Sequence, residues 1–327
     1  MVLFYYPVFY FQGVNMSRFK ALLLAGLMMF SCGPVLAQQP VPTLEKMTKT
    51  GVIKIGYTTR NIPFSFLDQK GEPTGYTIEL CRRVVDLLKQ KLSRPDIKVE
   101  FVERTASNRV VLLNDGSIDL ECVSSTNTEE RRRSVWFSYS HFITATRFVS
   151  LKSSGINTIA DLAGRTVVVT KGSTNIAQLN TINREKSLYL ALVQGVSIND
   201  AFEMVTQGKA SAFVMDGILL ASLVANAQNP ENYVLSAETL SEPQPYGLML
   251  RKDDVGFRDA VNGALLTIYK SGEINDIYNK WFMTDIGPDG VNLNTPMTGD
   301  LKAVFDNPVN LGGLILNTFK RLAACRR

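Results

Sequence analysis

One order of segments occurs twice in this chain. "NRVVLLNDG" (108–116) is a short apolar helix closed by a glycine and followed by the strand-like "SIDLECV" (117–123). "NDAFEMVTQG" (199–208) does the same and leads into "KASAFVMDG" (209–217). Glycine stops a helix because it takes the left-handed conformation without a Cβ penalty. Two widely separated copies of helix, glycine and strand do not make a short-period solenoid. They predict two similar α/β lobes, each on a mainly parallel sheet. With 327 residues, 45% of them hydrophobic, the chain is long and apolar enough for two cores.

The remaining segments fill in those lobes. "GVIKIGY" (51–57) and "KVEFV" (98–102) read as strands. Between them "GYTIELCRRVVDLLKQKL" (75–92) reads as an amphipathic helix, with Ile78, Cys81, Val84, Val85, Leu88 and Leu92 on one face and Arg82, Arg83, Asp86, Lys89 and Gln90 opposite. After a connecting segment, 142–152, the pattern restarts. "NTIADLAG" (157–164) is a helix, "RTVVVT" (165–170) a strand, "KGSTN" (171–175) a tight loop opening a helix, and "YLALVQ" (189–194) a strand. "PQPYGLMLRKDD" (243–254) is then a return strand, followed by two helices parted near Gly272, which suits a chain crossing back to complete its first lobe. Residues 284–327 are rich in Gly, Pro and Asn, with one short helix in "DLKAVF" and a basic end, "FKRLAACRR", read as a frayed terminus. The expected division is 38–145 with 246–306 for the first lobe, 146–245 for the second, and a tail at 307–327.

Residues 1–37 contain no acid. From Met16 they read as a secretory signal: Arg18 and Lys20, then "ALLLAGLMMF", then small residues at Val35 and Ala37 before cleavage. Met16 is the better start, since "MVLFYYPVFYFQGVN" has no basic residue and is broken by Pro7, Gln12, Gly13 and Asn15. Removing 1–37 lowers the formal charge from +5 to +3. Charges of both signs are mixed along the chain, unlike a nucleic-acid binder. Cys32, in "MFSCGP", fits a lipoprotein site poorly. Cys325 lies in the tail, which leaves Cys81 on a helix and Cys122 on the strand expected beneath it. In an exported chain this pair is either a disulfide or two buried thiols.

Catalytic signatures are few. His141 is the single histidine, which disfavours a His-based triad or a multi-histidine metal site, and it reads as a surface residue near the hinge. Walker, dinucleotide-binding and C-x-x-C patterns do not occur, so no cofactor or metal is expected. The chain instead carries polar loops at strand ends, where open α/β sheets bind ligands. In "SSTNTEER" after "DLECV", Ser124 and Thr126 offer hydroxyls and Arg131 a bidentate fork. In "KGSTN" after "VVVT", Gly172 permits close backbone approach, while Ser173 and Thr174 present donors at a helix N-terminus. Asp216, at the end of "AFVMD", suits an ammonium group. Carboxylate donors with an ammonium acceptor describe an α-amino acid. Each loop alone is an ordinary helix cap, and it is their joint occurrence, one set per lobe, that points to a ligand.

On these residues the sequence resembles the periplasmic solute-binding proteins of polar amino-acid ABC importers, the bacterial extracellular solute-binding protein family 3, and among them the glutamate/aspartate-binding type. The matching stretches are "IPFSF", "GYTIELC", "NRVVLLNDGSIDLECVSSTNTEERR", "DLAGRTVVVTKGST", "AFVMDGILL", "YGLMLRKDD" and "KWF", over about residues 44–306. The resemblance implies a two-lobed Venus-flytrap fold with two crossover strands and the ligand in the interlobe cleft. It also implies a periplasmic monomer that delivers one amino acid to a membrane permease. It assigns Arg131 to the ligand α-carboxylate with Ser124, Thr126 and Thr174, Asp216 to the α-ammonium, and Arg109 to a side-chain carboxylate. Three positions depart from that subgroup: Thr58 stands where an arginine is common, with Arg60 two places on, Ala106 replaces a serine, and Ile198 a histidine. Two other classes remain open beside transport. One is a periplasmic cyclohexadienyl or arogenate dehydratase-like enzyme on the same fold, for which Glu103, Glu121 and Glu129 are the nearest acids. The other is a receptor sensing module, which no spanning stretch after residue 284 supports.

Overall fold

The computed structural model describes residues 41–287 and 290–308. The stretch 1–37 read as a signal, the start read at Met16, Cys32, and all of the expected tail 307–327 beyond residue 308, Cys325 included, lie outside the described residues. Two five-stranded sheets organise the chain. In sheet I the order is Lys98–Glu103, Val52–Tyr57, Leu120–Glu121, Gln244–Arg251 and Val135–Thr144. In sheet II it is Ala191–Gly195, Thr166–Thr170, Ala212–Asp216, Thr146–Leu151 and Tyr233–Leu235. The first three strands of each sheet are parallel and stand in the same order, second–first–third along the chain. The sequence repeat is therefore a repeat of sheet topology.

The chain passes between the sheets twice. Strand Val135–Thr144 belongs to sheet I, and one residue later Thr146–Leu151 pairs antiparallel with Ala212–Asp216 in sheet II. The return runs from Tyr233–Leu235 to Gln244–Arg251, which pairs with both Leu120–Glu121 and Val135–Thr144. The segment 142–152, expected as a connection, is therefore mostly strand, and sheet pairing extends back to Val135.

Helix Tyr76–Leu92 buries Ile78, Cys81, Val84, Val85 and Leu88 and leaves Leu92 at the margin. Cys81 is disulfide-bonded to Cys122. With helices Val255–Lys270 and Glu273–Phe282 it covers sheet I. Aromatic rings fill the region next to the crossings: Phe142 lies 5.0 Å from Phe282 and 5.1 Å from Phe64, and Tyr246 lies 5.4 Å from Phe64. Edge and offset ring pairs of this kind add rigidity beyond the area they bury.

Two element expectations fail for local reasons. "NTIADLAG" forms only a short 3-10 turn, Ala160–Leu162, because the Asp161 carboxylate accepts from the Asn157 and Thr158 amides and the Thr158 hydroxyl, closing a tight turn that competes with a helix. "SIDLECV" is in the sheet ladder only at Leu120–Glu121, and the flanking Asp119 carboxylate is taken by the Lys54 amide and Lys46. Helices Thr43–Thr50 and Gly217–Ala225 were not anticipated. The histidine expectation is corrected as well. His141 is fully buried, because its strand is covered on both faces, and neither ring nitrogen has a hydrogen-bond partner. Its ring lies 5.8 Å from Tyr76 and 6.3 Å from Tyr246. Without a partner the imidazolium cannot be solvated, and burial lowers the pKa to about 3.

Candidate functional site

The strand ends of both sheets face one cavity of about 270 Å³. Arg131, Ser124, Thr126, Thr174, Ser173, Asp216, Arg109 and Arg60 all line it, as do Thr58, Ala106 and Ile198. Sheet I supplies the cations. Arg109 opens the short helix Arg109–Asn114 and is buried; its Nη1 donates to Ser125 Oγ at 3.2 Å and its Nη2 to Gly172 O at 3.1 Å. Arg131 sits in the short helix Glu129–Arg132, whose N-cap Thr128 accepts from the Arg131 amide. Its Nη1 donates to Thr126 O at 2.9 Å and its Nη2 to Gly172 O at 3.4 Å. Neither arginine makes an ion pair among the described residues. Arg60 is exposed at the rim. The loop carrying Ser124 and Thr126 is tied to the return strand: Thr126 bridges Tyr246, Asn127 N donates to Pro245 O, and Gly247 N donates to Ser125 O. The neighbouring arginines do not share this role. Arg132 donates to Asn127 Oδ1, and Arg133 is exposed and 3.7 Å from Glu129. Lys252 and Arg258, not these arginines, lie over the ring of the nearby Trp136.

Sheet II supplies the anion. Asp216 ends strand Ala212–Asp216 and is buried, with Oδ2 accepting from the Tyr246 hydroxyl at 2.5 Å and Oδ1 from Asn175 Nδ2 at 3.1 Å. Burial pushes its carboxyl pKa up, against those two hydrogen bonds and the Arg131 and Arg109 charges. Burial, with Arg131 and Arg104 beside it, pulls Arg109 well down. Burial also lowers Arg131, opposed by Asp216 and Glu121. The loop from Thr170 opens helix Asn175–Glu185, whose N-cap Thr174 has no side-chain cap bond, and the buried Ser173 Oγ has no partner. Helix Ile198–Thr206 presents its own N-terminal end, Ser197 to Asn199, to the same cavity. Helix N-termini carry partial positive charge and free amides.

Gly172 joins the two sides. Its φ is +77°, and a Cβ there would lie 2.9 Å from the Ala106 carbonyl carbon and oxygen. Backbone of the sheet II loop thus touches backbone of the sheet I loop, and only glycine fits this contact.

Sequence reading missed four contributors. Arg104 directly follows strand Lys98–Glu103 and is buried in an ion pair with Glu121. Its place after a strand end is the same signal that found Asp216. Asn61 donates to Ser124 Oγ at 2.9 Å. Asn175 and Tyr246 hold Asp216 from behind, and a tyrosine inside a distant strand carried no local signal. Of the acids considered for catalysis, Glu129 and Glu103 are exposed, and Glu121 is fully buried with Oε1 accepting from Arg104 and Ser125 Oγ. Among the described residues no His/Cys/Asp/Glu cluster could hold a metal ion, and no helix is long and apolar enough to cross a membrane.

The family model for bacterial extracellular solute-binding proteins, family 3, matches residues 53–284. The chain is 38% identical over 278 residues to an L-glutamate/L-aspartate-binding protein of Pseudomonas aeruginosa, covering 85% of this chain and 92% of that one. It is 35% identical over 266 residues to a glutamate/aspartate import solute-binding protein of Escherichia coli K12, covering 81% and 88%. Among solved structures it is similar to an ancestral arginine-binding protein bound to arginine, with a TM-score of 0.64 and 28% identity over 71% of this chain and 98% of that one.

Proposed function

We propose that this chain, which belongs to the bacterial extracellular solute-binding proteins, family 3, binds one acidic amino acid between its two lobes and delivers it to the permease of an ABC importer. The observation that carries the ligand class is the charge of the cleft. Arg104, Arg109 and the half-buried Arg131 stand against Asp216 and the Glu121 behind the cavity wall, an excess of one positive charge, while the exposed Arg60 and Glu103 at the rim cancel each other. An amino acid with a side-chain carboxylate carries the complementary single negative charge. Arg109 and Arg131 hold their charges with neutral acceptors alone. An unpaired buried charge costs several kcal/mol, roughly, and a ligand carboxylate offsets that cost on arrival.

In this reading Arg131, with Ser124, Thr126, Ser173 and Thr174, grips the α-carboxylate. Asp216, held by Tyr246 and Asn175, receives the α-ammonium. Arg109 faces the side-chain carboxylate, and Arg60 is a rim charge. Thr58 donates its hydroxyl to Ser65 O, and Ala106 and Ile198 have no polar side chain, so side-chain recognition of the second carboxylate falls on the arginines. The names of the two bacterial relatives support the same ligand class.

The protein works as a binding protein rather than an enzyme, a reading supported by relatives named as solute-binding proteins. Glu121 is fixed as an acceptor between Arg104 and Ser125, and of the two exposed glutamates only Glu103 lines the cavity. Reading 1–37 as a secretory signal puts the mature chain in the periplasm; we take it there as a monomer, with 38–145 and 246–306 forming one lobe and 146–245 the other. A thermal-shift screen against the amino acids tests the function, because a ligand that binds only the native state raises its melting temperature. L-glutamate or L-aspartate is expected to stabilise most. No response to any amino acid, with turnover of a cyclohexadienyl acid instead, contradicts the proposal.

A further inference from the structure

One buried ion pair beside the cleft is assigned no ligand group in this reading. Arg104 and Glu121 have side chains 4% and 0% exposed. They are bonded along one edge only: Arg104 Nε and Glu121 Oε2 are buried without partners. Stability does not explain such a pair. Desolvating two charges costs about as much as their attraction returns, and apolar residues of the same size do as well or better. Two orphaned polar atoms make the balance worse.

The neighbours of the pair suggest an electrostatic task. Glu121 Oε1 also accepts from Ser125 Oγ at 2.9 Å, and Ser125 Oγ accepts from Arg109 Nη1 at 3.2 Å. One hydroxyl therefore separates the Glu121 carboxylate from the arginine that faces the ligand side chain. Were Arg104 neutral, Glu121 would compensate Arg109 through that hydroxyl, and in a low-dielectric site the arginine would have little left for a ligand. Arg104 itself lines the cavity, so its field acts there directly.

We propose that Arg104 is a specificity-determining residue: by holding the Glu121 carboxylate it leaves the Arg109 guanidinium uncompensated, and so sets the cleft to prefer a ligand with two carboxylates over its amide counterpart. This rests on the reading of the cleft as an amino-acid site and goes beyond it by naming what sets the acid-over-amide preference.

The test is calorimetric titration of L-glutamate and L-glutamine, and of L-aspartate and L-asparagine, into the wild type, Arg104→Met, Glu121→Gln and the double variant. The buried charge in these four is +1, 0, +2 and +1. The acid-to-amide affinity ratio is expected to fall at least about tenfold in Arg104→Met, rise in Glu121→Gln, and return to within about threefold of the wild type in the double variant. A purely structural pair would weaken acid and amide alike and leave the ratio unchanged, and that result overturns the proposal. Should Arg104→Met fail to fold around its unpaired carboxylate, Glu121→Gln and the double variant still decide. Both lack the Glu121 carboxylate and differ only in the Arg104 charge, and their ratios are expected to differ at least about tenfold, while equal ratios overturn the proposal. A wild type that prefers the acid, with variants that keep its ratio, removes the role of Arg104 alone. A wild type that binds none of the four removes the amino-acid reading with it.

Discussion

The two walls of the cleft are built by the same sheet topology and carry opposite chemistry. Sheet I contributes Arg104, Arg109 and Arg131, whereas the sheet II residues lining the cavity include no cation and end in Asp216 and two helix N-termini. A repeated strand order therefore fixes where ligand-facing loops emerge, but not what they bind. On the proposed reading this division would orient a ligand, with its carboxylates on sheet I and its ammonium reaching across to Asp216. Hydrogen bonds tie the walls together: Gly172 O accepts from both Arg109 and Arg131, and the Tyr246 hydroxyl donates to Asp216.

The largest break in this division is Arg131→Ala. Truncating one partner of a desolvated charge pair costs about 2–5 kcal/mol, so every amino acid is expected to bind at least about thirtyfold more weakly by calorimetry, with the circular-dichroism spectrum unchanged. Next comes Asp216→Asn on the opposite wall. Removing the ammonium acceptor is expected to cost about 3 kcal/mol, roughly a hundredfold in affinity. The same change should raise the melting temperature of the ligand-free protein. The folded pKa of Asp216 lies above its ordinary value, so its ionised form is disfavoured by folding, and its contribution to stability is lost as pH rises through the folded pKa. Lower affinity with higher stability distinguishes a functional carboxylate from a structural one.

The third prediction concerns the crossing between the lobes. His141 has a pKa lowered to about 3, so the neutral ring contributes stability above the ordinary value near 6.5, and that stability is lost as pH falls from there toward 3. The slope is about 1.4 kcal/mol per pH unit, or about 2 kcal/mol by pH 5. Denaturant melts should show His141→Leu to be less acid-sensitive than the wild type, with neutral-pH ligand affinity unchanged. The smallest effect is expected from Gly172→Ala. Its Cβ would press on the Ala106 backbone at 2.9 Å in a left-handed conformation. That hinders closure by about 1–2 kcal/mol, read as weaker binding of all ligands and a smaller ligand-induced decrease in scattering radius.

Much of the fold was legible because it rests on periodicity and punctuation. The helix Tyr76–Leu92 follows from its apolar spacing, and the repeated units from their glycine stops. "NTIADLAG" was misread because the Asp161 side chain captures backbone amides that a helix would leave to its own ladder. Of the strand Val135–Thr144 the sequence marks only 142–144, as the start of a connection, since the strand is covered on both faces and lacks the alternation that marks a half-buried strand. That covering also hid His141. In the site, residues at strand ends were found from sequence because position predicted them. The second layer was not, because Tyr246 and Asn175 reach Asp216 from distant segments, and the Arg104–Glu121 pair is defined by packing rather than spacing.

The most direct test of the divided cleft is the structure of the protein with L-glutamate or L-aspartate bound. The expected result places the α-carboxylate on Arg131, the ammonium on Asp216 and the side-chain carboxylate toward Arg109. A ligand bound in the reverse direction, or outside the cavity between the two sheets, would contradict it.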